Sequence, residues 1–223
     1  MGQAVTLARW IGAGRRPVTA GRVLRKADVA AAGAALGVDV PTRLRTMADI
    51  RALYRPWCAA VAAGLLQVED GSVTAGPALA SWPADDGDML AGWLAGLRAV
   101  CAAESHPQDE DSVRLLALAL LTVLNEDDPP AASGLWRPVL EALQVLCDRY
   151  DKRSWKLAGA ADRYGDAWSE KPLAGLVVLL AGFGAVAGER GRPAITSLGR
   201  WATGAPGGRA GRAGGPGAAS RER

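Results

Sequence analysis

The chain has 223 residues, 49% hydrophobic and 22% charged, with a net charge of +3 and three cysteines. That length supports one large core or two small ones, and the balance is that of an ordinary folded domain, excluding a disordered polyelectrolyte. Cys58, Cys101 and Cys147 are odd in number, far apart, and each sits in an apolar helical pattern, which excludes a disulfide framework and predicts a reduced, cytoplasmic setting.

Arginine supplies 22 of the 26 basic residues alongside abundant Ala and Gly, a coding bias, so Arg abundance is not itself read as a nucleic-acid signal. Charge is segregated along the chain. Residues 1–60 carry ten basic against three acidic side chains, residues 61–148 three against fourteen, and residues 149–223 thirteen against six. The acids gather at Asp85-Asp86-Asp88, Asp109-Glu110-Asp111 and Glu126-Asp127-Asp128, at breaks between apolar stretches, and are read as solvated loops. An acidic middle facing basic ends, within one chain or across a dimer, is the functional alternative. Arg9, Arg15 and Arg16 interrupt the first apolar run, so no signal peptide is expected. Leu173 to Ala187 is uncharged but shorter than the roughly 20 residues of a membrane span, and is read as a buried helix.

In chain order, a helix is predicted from Val5 to Ile11, a break at Gly12 to Pro17, and a second helix from Gly21 to Leu36 before Gly37. A third runs from Met47 to Leu66, with Leu53, Trp57, Val61 and Leu65 at helical spacing. Gln67–Glu69 and Ser72–Thr74 flank Asp70-Gly71 as a β-ribbon. Asp88–Ala103 and Ser112–Leu124 are two apolar helices joined by an acidic loop containing His106 and Pro107. Leu135–Tyr150 follows, with Pro138 in its first turn. Leu157–Trp168 is weakly helical, and Pro172 opens an apolar helix through Phe183. Ala185–Ala187 and Arg192–Ile195 form a second ribbon, after which Thr196 caps a closing helix. Beyond Gly204 no apolar residue larger than Ala occurs, and disorder is expected.

A small pattern recurs: Val18-Thr19-Ala20-Gly21, Val73-Thr74-Ala75-Gly76 and Ile195-Thr196-Ser197-Leu198-Gly199. With helix, ribbon and helix around the last two, it predicts winged-helix-like modules. The expected fold is mainly α: an N-terminal winged-helix-like module over 1–82, a helical middle over 83–134, a C-terminal winged-helix-like module over 135–203, and a disordered tail over 204–223. Arg16-Pro17-Val18-Thr19, the helix Arg22 to Leu36 ending in Gly37, and Asp49 to Gly76 resemble a family of uncharacterised actinobacterial proteins that combine two winged-helix-like segments. The resemblance covers residues 7–80 and 172–202. It implies a fold and carries no activity.

DNA binding through such a module requires base-edge donors and cations on the helix before the wing. Pro172 to Phe183 has no charged or amide side chain and is expected to be buried against other helices or another subunit. In the first module Arg51, Tyr54 and Arg55 are placed to make contacts, but Glu69 and Asp70 in the wing oppose phosphate. In the second wing Arg190 and Arg192 suit phosphate better. Arg149 to Lys156, with Tyr150, Trp155 and then Trp168, interleaves rings and cations as a base-stacking strip would, against the plainer reading of a helix end.

Catalytic signs are missing. His106 is the single histidine and lies in a loop; the cysteines lack metal spacing; Asp85, Asp86 and Asp88 lack the Glu of a calcium loop; Gly182, Gly184 and Gly188 are not a phosphate loop. The resulting expectation is a non-enzymatic regulatory or protein-interaction protein without catalytic, metal or cofactor residues. Arg51, Tyr54, Arg55, Arg190 and Arg192 are its candidate contacts, and a protein partner or self-association is expected. Sequence-specific binding of double-stranded DNA is the alternative, an enzyme without a recognisable motif a further one. No small-molecule ligand and no membrane attachment are read from the residues.

Overall fold

The computed structural model describes residues 1–82, 85–105, 112–150, 166–189 and 191–204, and the protein is mainly helical with small antiparallel sheets. Helix α1 (Gly2–Ile11) buries Ala4, Val5, Leu7, Ala8 and Ile11, a stripe at helical spacing, and stops at Gly12. Arg16–Pro17 then forms a short strand, β1, where the sequence predicts only a break. Two residues are too few to show alternation, and β1 exists because it pairs with a distant strand. As an edge strand it tolerates a proline.

The second helix begins later than its apolar pattern. Val18 bridges Leu24, the Thr19 amide donates to the Val23 carbonyl, and Arg22 turns the chain at φ 58°, so α2 covers Lys26–Leu36 rather than starting at Gly21. The expected third helix is also divided. Met47–Asp49 is a 3₁₀ turn, α3 spans Arg51–Ala62, and Gly64 at φ 69° ends it before Leu65 and Leu66. Leu66 enters strand β2 (Leu66–Glu69), which pairs with β3 (Ser72–Ala75). Asp70 and Gly71, both at positive φ, make the tight turn that this dipeptide favours. β1 adds to the other side of β3, with Arg16 opposite Val73, giving the order β1-β3-β2.

After the short α4 (Pro77–Ala80) comes α5 (Asp86–Glu104), whose first turn is capped by Asp85 accepting the Asp88 amide at 2.8 Å. It lies along α3 and then meets α6 (Ser112–Leu124), which packs on α7 (Trp136–Tyr150). Helix α8 runs from Asp166 to Gly182, so Pro172 lies inside it rather than opening it. A proline removes one ladder hydrogen bond. The anchors Leu173, Leu176, Leu179 and Leu180, all buried, hold the helix beyond that point. β4 (Val186–Glu189) and β5 (Arg192–Ile195) form the second ribbon, and α9 (Ser197–Ala202) closes the described chain, with Thr196 Oγ1 accepting the Gly199 amide at 3.1 Å.

The two helix–ribbon–helix segments correspond at one constant offset. Gly64 and Gly184 both leave their helices at positive φ. Leu66 pairs with Ala75 as Val186 pairs with Ile195, and Glu69 with Ser72 as Glu189 with Arg192. The Gly76 amide donates to Leu65, and the Thr196 amide to Ala185. That alignment sets Gly76 against Thr196, so the recurring Val/Ile-Thr…Gly pattern is not in structural register. Its first copy, at Val18, lies in the turn before α2. One apolar core joins both halves, with Leu7, Leu24, Met47 and Leu53 fully buried in the first and Leu120, Leu124, Leu143 and Leu180 in the second. Among the described residues no helix is long and apolar enough to cross a membrane. The expected disordered tail after Gly204, the acidic loop of His106 and the Trp155 strip lie outside the described residues.

Candidate functional site

The first turns of α3 carry the candidate contacts Arg51, Tyr54 and Arg55, and α5 runs alongside them. Arg55 Nε donates to Glu104 Oε1 at 2.9 Å, and Arg51 Nε lies 3.6 Å from Glu104 Oε2. One carboxylate at the last turn of α5 therefore serves two guanidinium groups on successive turns of α3. The burial is unequal: the side chains of Glu104 and Arg55 are 14% and 27% exposed, that of Arg51 74%. The Arg55 contact is thus a shielded, charge-assisted hydrogen bond, whereas Arg51 makes a looser surface pairing.

Tyr54 is half-buried between these arginines, and burial together with the neighbouring Cys58 raises its hydroxyl pKa. Burial also pushes the Cys58 thiol up, opposed by a hydrogen bond from Tyr54 and reinforced by the charge of Glu104. Arg22 approaches the same face from another direction. Its Nη2 donates to the Val68 carbonyl at 2.9 Å, and with Tyr54, Cys58 and Ala103 it lines a shallow groove between α3 and α5. Arg16 is held elsewhere, 3.1 Å from Asp28 and stacked on Trp10 at 4.1 Å.

Arg192 is exposed at the start of β5; Arg190 lies outside the described residues. The helix preceding this ribbon is not buried all round, as its composition predicts. Leu173, Leu176, Leu179 and Leu180 face the core, while Ala174, Gly175, Val178, Ala181 and Gly182 are exposed, Val178 by 66%. An uncharged stripe thus faces outward. At its end, Val178, Gly182 and Phe183 share a groove of about 230 Å³ with Met1, Arg51 and Arg55, which brings the helices preceding the two ribbons to opposite walls of one cleft.

Glu104 is the member of this cluster that sequence reasoning missed. It is the single acid between Asp88 and Asp109, outside every acidic cluster, and its isolation at the end of an apolar helix was the available signal. Among the described residues no group of three His, Cys, Asp or Glu side chains is arranged to hold a metal ion. No family model, curated protein or solved structure matches the chain.

Proposed function

We propose that this chain is a protein-interaction or regulatory module built from two winged-helix-like units. The reading is supported by the element order helix, strand, helix, helix, ribbon in the first half, by the strand order β1-β3-β2, and by the matching ribbon in the second. The observation that carries it concerns the helix preceding each ribbon. In α3 Ala59 lies close to Gly96 of α5 and Arg55 is held by Glu104 in a shielded contact, while the exposed Arg51 pairs with the same carboxylate, so α5 occupies part of the face that would enter a DNA groove. Along α8 from Leu173 to Gly182 the exposed residues are Ala174, Gly175, Val178, Ala181 and Gly182, none of which carries a donor for a base edge or a phosphate. An uncharged stripe of small residues instead suits close approach of another apolar surface, on a second copy or a partner protein.

Two measurements test the proposal together: retention of the protein on pooled double-stranded DNA at low and raised salt, and light scattering across a concentration series. The expected result is no retention at low salt and an association that Val178→Asp abolishes. Retention with a steep salt dependence, lost in Arg51→Ala/Arg55→Ala, would overturn it in favour of DNA binding.

A further inference from the structure

The seam between α5 and α6 does not close. A cavity of about 310 Å³ remains there, floored by the buried Leu97, Cys101, Leu115 and Leu121 and edged by Leu118, Arg98 and Arg114. Helix pairs rich in leucine normally interdigitate to the density of an organic crystal, and a void of this size forfeits those contacts. Its volume lies at the lower bound of small-molecule sites, about 300–1,000 Å³.

The chemistry of the walls is lopsided. Apolar side chains form the floor and both charged groups at the edge are guanidinium, one from each facing helix; among the described residues no carboxylate lines the cavity. Arg98 makes no hydrogen bond or ion pair among the described residues, so its donors at the mouth are open to a ligand. Burial, reinforced by the charge of Glu104 and opposed by those of Arg114 and Arg55, pushes the Cys101 thiol at the floor up to about 11. The thiol therefore stays neutral near pH 7 and adds no negative charge to the cavity.

We propose that this cavity binds an amphipathic monocarboxylate of medium chain length, its hydrocarbon tail between α5 and α6 and its carboxylate at the mouth against Arg98. A charge-assisted hydrogen bond fixes the head, and displacement of the tail from water supplies the affinity. The site lies in the α5–α6 seam, with Ala202 of α9 at its border, and does not depend on how the two ribbons are used.

Isothermal titration of the full chain with decanoate, below its micellar concentration, tests the site, with decanol as the uncharged isostere. Saturable binding is expected for decanoate, weaker by about tenfold or more for decanol and for Arg98→Gln, which loses the charged head contact. Leu118→Trp, which fills the cavity from its edge, should abolish binding with an unchanged far-UV circular dichroism spectrum. Arg98 is exposed, so its variant keeps the comparison sound even if Leu118→Trp misfolds. Absence of saturable decanoate binding, or equal binding of decanoate and decanol by the parent chain and Arg98→Gln, would overturn the site.

Discussion

Arg51 and Arg55 are one helical turn apart, carry the same charge and meet the same carboxylate, yet their surroundings separate them. Arg55 and Glu104 are both shielded from water, so removing Arg55 leaves a half-buried acceptor without its 2.9 Å donor. Arg55→Ala should cost about 1–3 kcal/mol. Arg51, mostly solvated, should lie within about 0.5 kcal/mol of neutral on the same substitution. Urea denaturation of the two variants checks the difference, and equal midpoints would contradict the inequality of the two contacts. The sequence places these residues on one helix as candidate contacts. Their partner lies on another element, and no local spacing reveals it.

At the level of elements, two glycines illustrate opposite constraints. A side chain on Gly76 would meet the Gly64 carbonyl oxygen and, at 3.0 Å, the Leu65 carbonyl carbon, both fixed backbone at the junction of α3 and β2. Gly76→Ala should therefore destabilise by about 1–3 kcal/mol or more, as overpacking does. Gly175, inside α8, has nothing within 4 Å of that position. Gly175→Ala should stabilise the isolated chain by about 0.5–1 kcal/mol through helix entropy alone. If another helix packs on this stripe, the same variant should weaken association while raising thermal stability, a split that scattering and calorimetry together resolve. Both ribbons were legible from their turn residues, because Asp70-Gly71 and Gly191 allow tight reversals locally. The start of α2 and the position of Pro172 within α8 were not, since the Val18 amide's hydrogen bond to the distant Gly71 carbonyl and burial beyond the proline override local preference.

On the scale of the whole molecule, Trp93 on α5 fastens the two halves. Its Nε1–H donates to the Phe183 carbonyl at 2.7 Å, and its ring meets Phe183 and Trp201 edge-on, with centroids 6.4 and 6.3 Å away. The side chain is buried at 5% exposure. Trp93→Phe should cost about 1 kcal/mol for the hydrogen bond, and Trp93→Ala about 3–5 kcal/mol for the lost ring. In Trp93→Ala the unfolding transitions followed by far-UV circular dichroism and by tryptophan fluorescence should separate, because the link that makes the halves unfold together is gone. Coincident transitions would show that the rest of the interface suffices.

By itself the sequence determined the helical class, the two ribbons with their turns, the Thr196 cap and the cluster on α3, all features written in residues close together in the chain. Only the tertiary structure decided what those features face. It set Glu104 against the arginines, brought β1 to β3, left Ala174, Gly175, Val178, Ala181 and Gly182 of α8 exposed and kept a cavity open beside Arg98. Each of these depends on residues far apart in the chain meeting through packing, and apolar periodicity specifies that a face is covered without specifying by what.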